Sequence, residues 1–260
     1  MRASAGGAVR ARTDYFFVAA AAVIALVAFG GFAGTYWLQL PAGTFTGPGI
    51  LHLHGLLFSA WTLFLLAQAW LGARRQLTAH RAWGVAGVSL ATAMVFTGMT
   101  VAIRSIGRAD AAGWGDGARL VFFTSVTSLM AFTGFVAAGL LNVRRPEWHK
   151  RLMMLSSYAI IGAALARILF HLAGGGGPGV RLGTEPSPST TSLPMEIASE
   201  GVGLLLIAVG MLYDWRTRGR PHPAYAVGAA VLIGVSILRA TVGPSPASRA
   251  IADAFVRFAG

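Results

Sequence analysis

The chain has 260 residues, of which 55% are hydrophobic and only 12% charged, and its mean hydropathy is 0.64. These few polar residues cannot cover the surface of a soluble globule of this size, so the composition excludes a soluble fold. The formal net charge is +12, but the basic residues form short clusters between long apolar runs. That pattern is typical of a membrane topology signal and argues against nucleic-acid binding. The absence of cysteine excludes disulfides and thiolate metal sites.

Seven apolar runs are long enough to cross about 30 Å of hydrocarbon as helices. They cover residues 15–40, 49–72, 82–104, 119–142, 152–173, 193–214 and 224–241. Residues 174–193, between the fifth and sixth runs, are rich in Gly, Pro, Ser and Thr and predict a flexible external loop. We therefore predict an all-α integral membrane protein, with residues 1–260 forming one domain that is a seven-helix transmembrane bundle.

The basic residues predict the orientation of this bundle. One side holds 13 of the Lys and Arg residues, the other side holds 7, and Arg167 lies within the fifth run. The richer side comprises the N-terminal tail and the loops at 74–81, 144–151 and 216–220. Because Lys and Arg are retained in the cytoplasm, we predict a bacterial inner-membrane protein with a cytoplasmic N-terminus and a periplasmic C-terminus. The same loops are expected to contact anionic lipid headgroups.

The three cytoplasmic loops share one pattern. Each has a basic cluster followed by a histidine just before the next helix, and these histidines are His80, His149 and His222. Their spacings, 69 and 73 residues, are close to the length of one helical hairpin with its loops. The pattern predicts one helix followed by three repeated hairpins in parallel orientation.

Ionisable residues within the spans are costly to bury and are therefore candidates for function. Arg167 and His171 are four residues apart in the fifth helix, as are Glu196 and Glu200 in the sixth. These helices run in opposite directions, so residues at equal depth should have numbers with a constant sum. Arg167 is then expected to form a buried ion pair with Glu200. His171 is expected opposite Glu196, near the outer surface.

The outer end also carries His52 and His54, at the start of the second helix. Residues two apart on a helix point about 200° from each other, so we expect only His54 to face inward. His54 and His171 would suit axial ligation of a b-type haem or a transition metal, with His52 or Glu196 as further metal ligands. In the alternative interpretation, the acidic and basic residues only fix helix packing, and the histidines bind backbone or lipid.

The three inner histidines stand among arginines and a lysine, whose charge disfavours a bound cation. We expect them to serve helix starts and to contact headgroups. The open alternative is that three repeat-related imidazoles converge on a cytoplasmic metal ion.

Four segments carry a resemblance to a group of uncharacterised bacterial multi-pass membrane proteins. They are HLHGLLF at 52–58, HRAWG at 80–84, EWHKRLM at 147–153 and RGRPHP at 218–223. The likeness covers most of the chain from the second helix onward, and it implies a multi-pass membrane fold but no particular activity. Histidines at the ends of a small apolar bundle are also similar in style to b-type cytochromes and oxidase-assembly membrane proteins, which is an analogy only.

The chain contains no motif for phosphate or dinucleotide binding or for soluble hydrolases, and whether it is an enzyme is left open. The leading hypothesis is a redox or assembly factor that binds haem or metal through the outer His/Glu/Arg cluster. Two alternatives remain: a transporter of small molecules or ions using the same cluster, and an accessory subunit of a membrane complex with no site of its own. A membrane-protein partner is possible under each hypothesis.

Overall fold

A computed structural model describes residues 15–111, 113, 115–174 and 193–259, and all regular structure in these residues is helical. A π-helix, Ala33–Trp37, directly extends the first α-helix. The α-helices are α1 (Phe16–Phe32), α2 (Gly49–Ala73), α3 (Leu77–Ala111), α4 (Gly115–Leu141), α5 (Pro146–Ile160), α6 (Gly162–Leu172), α7 (Leu193–Arg218), α8 (Pro223–Val242) and α9 (Pro246–Ala259).

Six helices of the described part are long and apolar enough to cross a membrane, or seven if α5 and α6 together form one span. These two helices are bent by 49° at the break between Ile160 and Gly162. The protein is thus an all-α membrane bundle. Its spans agree with the apolar runs because burying about 20 residues in hydrocarbon requires an internally hydrogen-bonded helix.

The broken α5–α6 span lies in the middle of the bundle, where it contacts α1, α2, α4, α7 and α8. Leu155 of α5 is completely buried in this core. A hydrogen bond joins α2 to α5 within this core: the indole Nε1–H of Trp61 donates to the Ser157 hydroxyl at 3.0 Å. The central span therefore positions the others around it.

Three hairpins, α2–α3, α4–α5 and α7–α8, turn at one end of the bundle, which we call the basic end; the other is the distal end. Two of the turns contain the same kind of hydrogen bond, from a histidine to a backbone carbonyl of the preceding helix. His80 Nδ1–H donates to the Gln68 carbonyl at 3.2 Å, and His149 Nδ1–H donates to the Gly139 carbonyl at 2.9 Å. Each histidine thus ties the start of one helix to the end of the preceding one.

The third histidine acts differently. His222 is the N-cap of α8, and its Nδ1 accepts from the Ala224 backbone N–H at 3.2 Å. Burial, together with the nearby guanidinium groups of Arg151 and Arg218, lowers the pKa of His222 below its usual value. The neutral ring is the form that can accept at the cap, so this environment favours the capping role.

The structure differs from the sequence-based prediction in three elements. Helix α3 extends well beyond 82–104 at both ends, and the fifth run is broken rather than continuous. Helix α9 was not predicted, because its amphipathic sequence is too polar to span. Residues 175–192, almost all of the predicted external loop, lie outside the described part of the chain.

Helix α9 packs at the distal end, against α3 and α4. Its completely buried Ala252 lies in a small cluster with Ile106 and Phe122. Two ion pairs of Arg119 in α4 also hold α9 in place. Its Nη1 lies 2.6 Å from the Asp110 carboxylate of α3, and its Nη2 lies 2.7 Å from the Asp253 carboxylate of α9. The first described residue lies at the other end of the bundle, since the Tyr15 ring is 6.0 Å from that of Trp70 near the end of α2.

Candidate functional site at the distal end

Close packing of α1 against α6 builds the distal site. A Cβ added to Gly31 would lie 2.4 Å from the carbonyl oxygen of Ala164, so only glycine fits this crossing. Arg167 lies about one turn after Ala164 in α6, and it packs against Phe32, the residue after Gly31 in α1. The Arg167 guanidinium carbon lies 4.4 Å from the centre of the Phe32 ring.

Arg167 has no carboxylate partner among the described residues. Its Nη1 donates to the Ala163 carbonyl in the preceding turn at 2.8 Å, and its buried Nε has no hydrogen-bond partner. The predicted ion pair with Glu200 is therefore wrong. Gly162, at the break, is the residue that faces Glu200, since a Cβ there would lie 3.8 Å from the carboxylate. The constant-sum argument assumed straight helices, and the bend invalidates it.

Glu200 pairs instead with Arg239 near the end of α8. Arg239 is only 4% exposed. Its Nε donates to the Thr127 hydroxyl at 2.8 Å, and its Nη2 donates to the Ser128 hydroxyl at 2.6 Å. A carboxylate and two hydroxyls from α4 and α7 thus compensate this buried charge.

His171 lies one turn after Arg167 on the exposed end of α6. Its Nδ1–H donates to the Arg167 carbonyl at 2.7 Å, because a carbonyl can only accept. The lone pair of Nε2 is then unused, and this atom would lie 3.5 Å from a Cβ added to Gly34. Nε2 therefore faces the π-helix with no side chain of Gly34 in between.

The two histidines of α2 have different surroundings. His52 is exposed, and its Nδ1 is hydrogen-bonded to the Tyr36 hydroxyl at 2.9 Å. His54 is partly buried, with its ring 4.1 Å from that of Phe58, and its Nδ1 is buried with no hydrogen-bond partner. Arg167 is close enough to act electrostatically on His54. His54, rather than His52, therefore belongs to the Arg167 cluster.

Within the described residues, no group of three or more histidine, aspartate or glutamate side chains converges as a metal-ion site. The side chain of Glu196 lies outside the described part, so its predicted position opposite His171 and its role as a ligand stay predictions. At the basic end, the rings of His80 and His149 are 6.1 Å apart, whereas His222 packs against Trp148.

A second buried ion pair lies at the basic end, between Arg151 of α5 and Asp214 of α7. These residues are 1% and 0% exposed. Asp214 also accepts from the Nε of Arg151 and from the backbone N–H of His222, both at 3.0 Å. The sequence places Arg151 in the basic loop 144–151, where it is expected to be a loop charge. The sequence did contain a signal for this ion pair. Asp214 is the single acidic residue in the inner half of the run 193–214, and a carboxylate there requires a cationic partner.

Glu147 extends this network to the surface. It contacts Arg151 at 2.7 Å and Lys150 at 2.9 Å, and it pairs with Arg218 at the end of α7. Each of these charged side chains therefore has a partner of opposite charge within the protein. The network therefore joins α5, α7 and α8, and it leaves the distal cluster as the stronger candidate for ligand binding.

Comparison of the chain with known protein families, curated proteins and solved structures found no match.

Proposed function

We propose that this protein binds a b-type haem through His54 and His171 at the distal end of its bundle and serves as a redox or assembly factor. The supporting observation is that these imidazoles, from α2 and α6, each keep a ring nitrogen without a partner beside the same arginine. One or two histidines are enough to hold a haem iron, whereas a structural zinc site needs four ligands, so a pair of histidines favours haem over a lone ion.

Two further features fit a haem. The Nδ1–H of His171 is held by a backbone carbonyl, which is a common way of orienting a metal-binding imidazole. Aromatic side chains, Phe32 and Phe58, lie against Arg167 and His54 and supply apolar surface. A bound haem would supply one-electron chemistry, and the residues of this chain would hold it and set its environment.

We expect protein produced with ample haem precursor and purified in mild detergent to show a Soret band that shifts on reduction. Substituting His54 or His171 by Ala should abolish the band, because each would remove one axial ligand. His80→Ala and His222→Ala serve as matched controls, and they should keep the band because they lie at the basic end. Loss of the band in either control, with His171→Ala unaffected, would place the site at the basic end.

A second candidate function is transport of a small molecule or ion. Its supporting observation is the break in the central span next to Glu200, because secondary transporters form substrate sites at discontinuous helices. An intramembrane ion pair such as Glu200–Arg239 is also typical of transport pathways. Colourless wild-type protein from haem-replete cells would favour this candidate.

We also propose that the protein resides in the bacterial inner membrane with its basic end in the cytoplasm. The basic loops there would meet anionic headgroups. A reporter active only in the cytoplasm should work at residue 1, and one active only in the periplasm should work at residue 260. Truncation after Arg220 should return the C-terminal reporter to the cytoplasm. Cytoplasmic signals from both termini of the full chain would show that one of the seven spans does not cross.

A further inference from the structure

Arg167 is partly buried, with a buried Nε, and it differs from the fully buried Arg151 and Arg239 in having no counter-charge among the described residues. Arg151 and Arg239 each contact a carboxylate, whereas the described contacts of Arg167 are one carbonyl and one aromatic ring. A cation near hydrocarbon is costly unless an anion compensates it. Among the described residues no such anion lies at Arg167, and a bound anion would compensate its charge.

Neighbouring polar atoms lack partners as well. Seven buried side-chain atoms of the described residues have no hydrogen-bond partner, and four belong to this region: Thr35 Oγ1, Gln39 Oε1, His54 Nδ1 and Arg167 Nε. Gln39 is tied to the same place, since its Nε2 donates to the Gly34 carbonyl at 3.0 Å. Because native proteins leave few buried polar atoms unpaired, this concentration indicates a bound ligand. The Thr35 hydroxyl and the Arg167 Nε–H can donate to an anion, whereas Gln39 Oε1 can only accept.

The backbone here is unusual too. Thr35 and Gly34 belong to the π-helix Ala33–Trp37, and single π-turns within helices occur often at functional sites. The π-helix with the turn that follows it, α2 and α6 supply all of these side chains. The region is thus built from three elements and is not a feature of one helix end.

We infer that Arg167, together with Thr35 of the π-helix, binds the oxyanion of an amphiphile, either a carboxylate or a phosphate. Arg167 supplies the positive charge and donors, and the rings of Phe32 and Phe58 contact the apolar part. This inference rests on the proposed function for the location of the site, but it does not require iron. A haem propionate, a fatty acid and an acidic lipid headgroup are three sources of the same chemistry.

The test compares the binding of each acid with that of an uncharged analogue, its twin, to purified protein in neutral detergent. The probes are haem against haem dimethyl ester, oleate against methyl oleate, and dioleoyl phosphatidate against dioleoylglycerol. Haem binding is followed by absorbance, and lipid binding by native mass spectrometry and thermal shift. Wild-type protein should bind at least one acid at least tenfold more tightly than its twin, and the pair that shows this preference identifies the source.

Arg167→Gln should remove that preference, whereas Arg167→Lys should retain part of it because the charge remains. Arg104→Gln, at an exposed arginine near the distal end of α3, is the matched control and should behave as wild type. Equal binding of acid and twin by wild-type protein, or an unchanged preference in Arg167→Gln, overturns the inference. If no haem binds but oleate or phosphatidate binding depends on Arg167, the proposed haem function fails and the oxyanion site stands.

Discussion

Replacing Asp214 by asparagine is expected to lower the free energy of unfolding by about 3–5 kcal/mol, the usual cost of breaking a buried ion pair from one side. Asparagine keeps the size and one acceptor oxygen, so packing and the bond from the His222 backbone N–H can persist. What is lost is the more deeply buried of the two carboxylates that compensate Arg151, since its other partner, Glu147, is 40% exposed and screened by solvent. Equilibrium unfolding of purified protein in mixed micelles measures this loss.

Two companion variants isolate the cause. Arg218→Gln removes an exposed ion pair with Glu147 in the same network, and it should cost at most about 1 kcal/mol because solvent screens that pair. The double variant Arg151→Met, Asp214→Leu should recover most of the stability, since no buried charge remains unpaired. If Asp214→Asn costs no more than Arg218→Gln, the buried pair is not a stabilising element of the bundle.

The second large effect is expected at Arg239. Arg239→Met leaves the Glu200 carboxylate and the Thr127 and Ser128 hydroxyls without their partner, and it should cost about 3–5 kcal/mol in unfolding free energy. The same measurement applies. Because α7, α8 and α4 meet at this residue, we also expect faster proteolysis of the chain after α8.

The control for Arg239 is Thr127→Ala, which removes one hydrogen bond and no charge. It should cost about 1 kcal/mol, a typical net value for one hydrogen bond. Combining Arg239→Met with Glu200→Leu should be less damaging than Arg239→Met alone. A double variant that is as unstable as the sum of both single variants would contradict a direct pairing of Glu200 with Arg239.

Sequence analysis predicted the membrane class and the positions of the spans, because both follow from length and hydropathy alone. A run such as residues 49–72 is expected to be helical wherever it lies in the bundle, since a single run satisfies its own backbone hydrogen bonds in lipid only as a helix. Patterning could not locate α9, whose polar face resembles a loop. It also could not reveal the break at Ile161, since no proline marks it.

The sequence by itself also determined which residues need partners. Arg167, Glu200 and Asp214 lie in apolar runs, where any charge requires compensation. Only the tertiary structure decided which partners they have. Pairing depends on the rotation of each helix about its axis and on bends between turns, and both arise from packing against neighbours. The 49° bend moves Gly162 opposite Glu200, gives that carboxylate to Arg239 and leaves Arg167 beside His54.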